Sequence, residues 1–292
     1  MIVLLIIALL IVIAGLFVLI VKLDDKNKIE NRQREEKKKS LKAELERALK
    51  REECVVYLQP KFWTSNEKLA GAEALVRWEH PDKGFLLPNS FVPDLEECGL
   101  IEALDTYVLK QVCKKQSQWK KKNYIEVPIA VNESKAHLFN SEHPEALISI
   151  LEEYGVSPHL IELEMTESTV VHNIEEAKQA ERRVHELGFC VSMDDFGTGY
   201  SSFSMLKDIH IDILKMDKSF FNGILTNKRA KDIVESVIQM AKRLDIKTVA
   251  EGIETEEQVE YLKSIGCDII QGYYFSKPIP IDEFEKKYLI ME

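Results

Sequence analysis

VSMDDFGTGYSS, residues 191–202, is an apolar run that ends in two adjacent carboxylates and a loop containing two glycines. It predicts a strand that delivers an acidic pair to a site. Because neighbouring side chains of a strand point to opposite faces, Asp194 and Asp195 can serve one ligand only if the strand ends between them and the backbone turns. Gly197 and Gly199 allow that turn. The alternative is a plain strand-to-helix connection with an aspartate as N-cap, but two aspartates before a hydroxyl-rich loop favour a site.

Short apolar runs alternate with amphipathic stretches on both sides of this segment. The apolar runs predict eight strands, at 54–59, 69–77, 126–132, 160–166, 188–194, 211–216, 246–251 and 268–272. Helical periodicity falls between most of them, at 101–121, 174–187, 228–244 and 255–265. The pattern predicts an α/β fold, a TIM-like (β/α)₈ barrel, rather than a doubly wound sheet, because no GxGxxG follows the first strand.

The link between the first two predicted strands breaks this repeat. It runs only from Pro60 to Lys68, which is too short for a helical crossover. We therefore expect these two strands to form an antiparallel hairpin, giving the barrel one antiparallel strand.

The amino-terminal residues 1–21 are almost wholly apolar and carry no charge. Their length matches the roughly 20 residues that cross a bilayer, so they predict a transmembrane helix. A cleaved signal peptide would need a basic stretch before this run and a small-residue site after it, and neither is present. The lysines and arginines that follow, between Lys22 and Lys39, predict that the rest of the chain is cytoplasmic and the protein single-pass in the cell membrane.

Residues 22–52 form the next predicted unit, a charged helical linker. The segment is charge-dense, and only Leu41, Leu45 and Leu49 make an apolar stripe. A parallel coiled coil is the alternative, but its apolar heptads are not sustained. The globular domain is predicted to occupy residues 53–289.

The charge of the chain limits its partners. The formal net charge is −10 and the pI about 5.4. A general nucleic-acid surface would need a basic face, so we expect no nucleic-acid polymer as partner. An anionic ligand would need a cation to mediate its binding.

Polar side chains recur along the predicted strands, mostly where the strands end. They are Glu73 and Arg77 on the second strand, Asn132 on the third, Glu164 and Glu167 on the fourth, Asp194 and Asp195 on the fifth, Lys215 and Asp217 on the sixth, Glu251 on the seventh and Gln271 on the eighth. In such barrels the carboxyl ends of the strands meet in one site. One such residue could be a cap, but seven strands contributing together predict a functional site.

The residue types in this set predict its chemistry. Crowded carboxylates repel one another and raise their pKa values unless cations lie between them. Ligands that are all oxygen atoms favour Mg²⁺ or Mn²⁺. Two such ions roughly 3.5 to 4 Å apart would hold a phosphodiester and lower the pKa of a bridging water. The sequence thus predicts a site for two ions.

Lys215 lies within an apolar strand, where an ammonium group is costly unless it is paired. Neighbouring carboxylates or a substrate phosphate could pair it. The alternative is a structural salt bridge with Asp217, which would share its strand face.

These residues also form a family signature. Glu73-Ala74-Leu75, followed by Val76-Arg77-Trp78, resembles the EAL motif of the cyclic di-GMP phosphodiesterases. Six further segments agree with that family: VNES 131–134, EMTES 164–168, DDFGTGYSS 194–202, LKMD 214–217, AEGIET 250–255 and QGYYF 271–275. The resemblance covers roughly residues 50–285. It implies the EAL fold, a barrel with one antiparallel strand, and hydrolysis of cyclic di-GMP to linear pGpG in bacterial signalling.

The resemblance also implies a role for each matching residue. One metal would be bound by Glu73, Asn132, Glu164 and Asp194, and the second metal with its water by Asp194, Asp195 and Glu251. Lys215 would position that water, Glu251 would be the general base, and Glu167 would anchor the loop after Asp195. Substrate contacts would come from Gln59, Arg77, Asp217 and Gln271. The family further implies a homodimer through the EAL domain.

Two other functions remain open from the sequence. A non-catalytic cyclic di-GMP receptor would keep the substrate contacts and lose metal ligands, whereas Glu164, Asp194, Asp195 and Glu251 are all present. A barrel lyase or enolising enzyme could also use a lysine and metal-binding acids. The position of Arg77 and the complete set of motifs disfavour a lyase or enolising enzyme.

Overall fold

The protein was analysed as a computed structural model. The structure describes the chain except residues 135–141, 168–173, 198–205 and 291–292, and except the side chains of residues 2–14, 17, 18, 21, 25 and 27. Among the described residues, no helix has an apolar stretch long enough to cross a bilayer. Most side chains of the predicted transmembrane segment 1–21 lie outside the described part.

In the described part of the chain, ten strands form one sheet. They are β1 (Cys54–Trp63), β2 (Leu69–His80), β3 (Gly84–Leu86), β4 (Ile129–Asn132), β5 (Ile161–Thr166), β6 (Cys190–Phe196), β7 (Ile213–Met216), β8 (Lys247–Ala250), β9 (Ile269–Gln271) and β10 (Ile279–Pro280). Strands β2 and β4 to β9 run parallel in that order, and β1 closes the barrel between β9 and β2. The two short strands β3 and β10 lie outside the ring. The eight-stranded barrel is confirmed.

Strand β1 pairs antiparallel with both of its neighbours in the ring, β2 and β9. This confirms the hairpin predicted from the short link after Pro60. The parallel strands of the ring are mostly apolar, as expected where side chains are buried on both faces. In β7 all four residues are buried, and Lys215 is the charged one.

Eight α-helices are described: α1 (Ile2–Lys50), α2 (Val92–Glu97), α3 (Ile101–Lys121), α4 (His143–Tyr154), α5 (Ile174–Glu186), α6 (Lys228–Arg243), α7 (Glu256–Ile265) and α8 (Ile281–Phe284). The four helices predicted from periodicity match α3, α5, α6 and α7. In α7, Thr255 and Gln258 form a reciprocal capping box, which fixes where that helix begins. A π-helical turn at Glu285–Leu289 follows α8.

The predicted linker and the predicted transmembrane segment before it form one continuous helix, α1, which runs to Lys50. Its last turns are not fully solvated. Leu45 and Ala48 are 2% and 0% exposed and pack in a cluster with Trp78, Phe91 and other residues of β2, α2 and α3. The linker prediction is therefore correct in being helical, but the Leu41–Leu49 stripe belongs to a hydrophobic core rather than to a bare spacer. This happens because the barrel strand β2 extends past the ring and offers Trp78 as a packing surface.

Candidate functional site

The carboxyl ends of the parallel strands bring the predicted acids together. Strand pairing sets Asn132 beside Glu164 and Thr166 beside Asp194. Glu73 lies on β2 opposite Gln59 of β1. Each strand thus delivers its polar side chain to the same end of the ring, as expected for a barrel of this type.

Lys215 lies at the centre of these acids. Its Nζ is 2.8 Å from Glu164 Oε1, 2.9 Å from Glu251 Oε1, 3.3 Å from Asp194 Oδ1 and 3.6 Å from Glu73 Oε2. The lysine is 1% exposed. Four carboxylates from β2, β5, β6 and the end of β8 therefore share one ammonium group.

Asp217 lies just beyond strand β7 rather than on it. Strand β7 ends at Met216, and Asp217 caps the 3₁₀ turn Lys218–Phe221 by accepting a hydrogen bond from Ser219 N at 2.9 Å. The alternative of a Lys215–Asp217 salt bridge is wrong, since the carboxylates of other strands surround Lys215. Asp217 is held by its own turn because the chain leaves the strand before it.

The charges of this cluster depend on one another. Burial alone would lower the pKa of Lys215, but Glu164, Glu251 and the other acids outweigh it and raise that pKa well above its ordinary value. Burial, and then the nearby Glu73, raises the pKa of Glu164 well above its ordinary value. Burial also raises the pKa of Glu251 to about 7. The site contains more carboxylate charge than its lysine can balance.

Gln271 holds the carboxylate of Glu73, and Gln59 supports Gln271. Gln271 Nε2 donates to Glu73 Oε2 at 2.6 Å and lies 3.2 Å from Gln59 Oε1. Gln59 Nε2 in turn donates to the backbone oxygen of Ser276 at 3.3 Å. Gln271, supported by Gln59, therefore orients Glu73. From the sequence, both glutamines were assigned to substrate binding alone.

The backbone at Asp194 and Asp195 changes direction in a way that differs from the prediction. Strand β6 does not end between Asp194 and Asp195 but continues to Phe196, and the register of the β6–β7 pairing shifts between Met193 and Phe196. Asp195 takes a left-handed φ of +56°. A β-bulge, not a strand end, therefore re-aims the second aspartate.

Glu167 contacts the residue that follows this bulge. Its Oε2 accepts a hydrogen bond from Gly197 N at 3.1 Å, and Glu167 is 1% exposed. Gly197 has φ +87°, and a Cβ there would lie 2.3 Å from Phe220 Cζ, so glycine is required. Residues 198–205, which include the rest of the predicted loop, lie outside the described part of the chain.

Arg77 lies on β2 four residues beyond Glu73. Its guanidinium carbon is 5.6 Å from the centre of the Tyr57 ring, and its Nη1 donates to Val76 O at 2.8 Å. Burial lowers the pKa of Arg77, while Tyr57, Tyr273 and Glu73 oppose that shift. Arg77 is thus within electrostatic range of Glu73.

A cavity of 780 Å³ opens beside the acids. Glu73 and Asn132 line one side of it, and Asn89, Val92 and Glu96 of the α2 region line the other. Ligand pockets commonly measure about 300–1,000 Å³, so the cavity has room for a nucleotide-sized ligand next to the carboxylates.

A second buried ion pair lies beneath this site and was not identified from the sequence. Lys61 Nζ is 2.7 Å from Glu162 Oε2 and 3.8 Å from Glu164 Oε1, and Lys61 and Glu162 are each 2% exposed. The sequence did contain an indication of this pair, because Lys61 lies two residues after Gln59 and Glu162 lies two residues before Glu164. Residues two apart on a strand share a face, so both pairs point into the barrel.

Replacing Lys61 by methionine should lower the free energy of unfolding by about 3–5 kcal/mol, because it leaves Glu162 as an uncompensated buried charge. The double variant Lys61→Met/Glu162→Gln should recover part of that loss, since both charges are gone. Urea unfolding of residues 24–292 measures both values. A double variant no more stable than the single one would show that the pair is not the source of the effect.

The EAL resemblance implies divalent cations, and the donor set fits them. Among the described residues, Glu164 Oε1 is ion-paired with Lys215 Nζ at 2.8 Å, and Oε2 accepts no hydrogen bond. A buried carboxylate oxygen without a partner is costly. Glu73, Glu164, Asp194 and Glu251 would be oxygen ligands of the kind that Mg²⁺ prefers.

Comparison with known proteins shows which family this chain resembles. The model described as "EAL domain" matches residues 42–278. The chain is 35% identical over 251 residues to the cyclic di-GMP phosphodiesterase NbdA of Pseudomonas aeruginosa, covering 85% of this chain and 32% of that protein. It is 40% identical over 245 residues to an uncharacterized signaling protein of Caulobacter vibrioides, covering 84% and 30%. The chain spans about a third of the length of these relatives.

Solved structures agree with the fold. The PaMucR phosphodiesterase in complex with c-di-GMP superposes with a TM-score of 0.78 at 33% identity, covering 83% of this chain and 98% of that one. The EAL enzyme Bd1971, bound to cAMP and cyclic-di-GMP, superposes with a TM-score of 0.79 at 29% identity, covering 85% and 68%.

Proposed function

The chain belongs to the EAL domain family, and from that premise we propose that its barrel site hydrolyses cyclic di-GMP to linear pGpG. The observation that carries the proposal is the convergence of Glu73, Glu164, Asp194 and Glu251 on Lys215 beside the 780 Å³ cavity. A relative named as a cyclic di-GMP phosphodiesterase supports the substrate.

Each residue of the site has its own part in the proposed hydrolysis. Two divalent cations, when bound, would neutralise the phosphodiester and make water more acidic. Glu73, Asn132, Glu164, Asp194, Asp195 and Glu251 would hold them. Glu251, whose Oε1 lies 2.9 Å from Lys215 Nζ, would accept a proton from the attacking water. Lys215 stays protonated and offsets negative charge that develops at the phosphate.

Substrate contacts are assigned to Arg77, Gln59, Gln271 and Asp217. Arg77 can contact a phosphate, since its guanidinium is always charged. Gln271 donates to Glu73 and to Gln59, so the effect of the two glutamines on substrate includes the placement of Glu73. The pKa of Asp195 is raised by burial first, then by Asp194 and then by Asp217. Asp217 therefore lies within electrostatic range of the acidic pair.

The second candidate is a receptor that binds cyclic di-GMP without cleaving it. The same cavity and Arg77 would serve it, and the acids would then hold cations or Lys215 only. Turnover by the purified domain separates the two functions.

Mg²⁺ or Mn²⁺ should support hydrolysis, whereas Ca²⁺ should bind and inhibit because its bonds are longer and its geometry looser. The measurement is chromatography of the nucleotides after incubation of residues 24–292 with cyclic di-GMP and each cation. Equal rates with Ca²⁺ would contradict the two-metal proposal. Binding without product in any of the cations would favour the receptor.

We also propose that residues 1–21 anchor the protein in the cell membrane with the barrel in the cytoplasm, and that the barrels form homodimers. The uncharged apolar run and the basic residues after it support the anchor. A reporter fused after Glu292 should then be active only in the cytoplasm. Accessibility of that reporter from outside intact cells would overturn the topology.

A further inference from the structure

Histidines and carboxylates cluster at the opposite end of the barrel from the proposed catalytic acids. Glu181 and His185 lie on α5, and His210 and Asp212 lie just before β7 begins at Ile213. Ligand atoms of Glu181, His185 and His210 all lie within 4.8 Å of one another. This group has no part in the proposed hydrolysis, because it is at the amino end of the strands.

Helical spacing places two of these side chains on one face. Residues four apart on a helix are neighbours, and His185 Nδ1 contacts Glu181 Oε1 by a short hydrogen bond. The ring of His210 approaches from the loop, with its centre 4.9 Å from that of His185. Two elements distant in sequence therefore present one carboxylate and two imidazoles to the same point.

Asp212 fixes the ring of His185. Its Oδ2 lies 2.9 Å from His185 Nε2 and accepts a hydrogen bond from Val191 N at 2.7 Å. The carboxylate is thus tied to the sheet, and the imidazole donates to it through Nε2. Without an ion, both ring nitrogens of His185 therefore face carboxylates, and the hydrogen bonds to Asp212 and Glu181 raise the pKa of His185 to about 9. A metal at Nδ1 must displace the proton shared with Glu181, while Asp212 keeps Nε2 oriented from the far side of the ring.

The surroundings allow an ion to enter. A cavity of 510 Å³ reaches Glu181, His185 and His210 from the solvent. Its other charged groups are Arg182, Glu186 and Asp208, and Lys178 pairs with Asp208 at 3.2 Å. Glu186 is paired as well, with Arg183 at 3.3 Å, so Glu181 is the lining carboxylate left to the two histidines.

We propose that Glu181, His185 and His210 bind a Zn²⁺ ion, with water as the remaining ligand. Imidazole and carboxylate are ordinary ligands of zinc, at about 2.0–2.2 Å. The alternative is an ion pair in which His185 only bridges Glu181 and Asp212. That alternative uses His210 only as a ring packed edge-on against His185 and interacting with Asp212, whereas the zinc site uses its imidazole nitrogen as a ligand. A bound ion would replace the proton between Glu181 and His185 and tie α5 to the loop before β7.

The test is calorimetric titration of the full-length protein in detergent with Zn²⁺, in which the difference between variants separates this site from any Zn²⁺ bound by the catalytic acids. The exposed His210 can be changed without disturbing the core, so His210→Ala should lose one equivalent of bound Zn²⁺. His159→Ala, an exposed histidine on the 3₁₀ turn Pro158–Leu160, is the matched control and should bind like the parent protein. Asp212→Asn should weaken binding about 10- to 100-fold.

Two further measurements make the outcome unambiguous. Zn²⁺ should raise the melting temperature of the parent and of His159→Ala, but raise that of His210→Ala less. Co²⁺ in place of Zn²⁺ should give visible absorption bands that His210→Ala loses. Equal Zn²⁺ stoichiometry and equal Co²⁺ spectra for the parent and His210→Ala would overturn the proposal and leave the ion pair alone. Either result is independent of whether cyclic di-GMP is hydrolysed.

Discussion

Replacing Asp194 by asparagine should lower kcat for cyclic di-GMP hydrolysis at least about 100-fold, the scale of losing one main electrostatic contributor. The substitution keeps the volume of the side chain but removes its charge. Asp194 Oδ1 lies 3.3 Å from Lys215 Nζ and also accepts a hydrogen bond from Asp195 N at 2.9 Å. The variant would thus lose charge where both proposed cations are bound.

The matched control is Asp245→Asn. Asp245 is exposed, lies between α6 and β8 at the other end of the barrel, and has a positive φ of 59° that asparagine tolerates well. Initial rates of pGpG formation under saturating Mg²⁺ compare the two variants. A loss of less than tenfold for Asp194→Asn, or an equal loss for the control, would remove Asp194 from the proposed site.

Glu164→Ala and Glu167→Ala should both lose activity but respond differently to Mg²⁺. Glu164 is a proposed ligand, so its loss should be large and poorly restored by more Mg²⁺. Glu167 instead accepts a hydrogen bond from Gly197 N, next to the bulge that carries Asp195. Hydrogen bonds to charged groups are worth about 1.5–3 kcal/mol. Glu167→Ala should therefore lose tens- to a hundredfold, and partly recover at high Mg²⁺.

The measurement is a titration of rate against Mg²⁺ for both alanine variants, with Glu167→Gln as the conservative control. A glutamine oxygen can still accept from Gly197 N, so Glu167→Gln should retain more activity than Glu167→Ala. The anchoring role is wrong if Glu167→Ala is kinetically silent, or as insensitive to Mg²⁺ as Glu164→Ala.

The barrel was predictable because its strands and helices have strong local patterns. Parallel strands buried on both faces, such as β7 and β8, read as short apolar runs, and α3 and α6 read as amphipathic helices. The antiparallel β1–β2 pair followed from a link too short for a helix. The strands β3 and β10, with three and two residues, carry too little pattern to be recognised.

The convergence of Glu73, Glu164, Asp194 and Glu251 was predictable, but their individual contacts were not. Strand ends show which acids meet, since barrel topology places them at one face. The bulge at Asp194 and Asp195 could not be predicted, because it depends on the pairing of β6 with β7. Pairing of Lys215 by carboxylates was one of the predicted alternatives, but its four particular partners could not be predicted, because they come from distant parts of the chain. Lys61 and Glu162 were missed because each, taken alone, resembles an ordinary surface charge.

Hydrolysis in ¹⁸O-labelled water tests most directly whether this site opens a phosphodiester by water attack. Residues 24–292 would be incubated with cyclic di-GMP and Mg²⁺ in that water, with Asp194→Asn as the inactive comparison, and the nucleotides examined by mass spectrometry. We expect linear pGpG with one ¹⁸O atom in its terminal phosphate. Intact cyclic di-GMP that is bound but unchanged, or a product without label, would contradict the proposed hydrolysis.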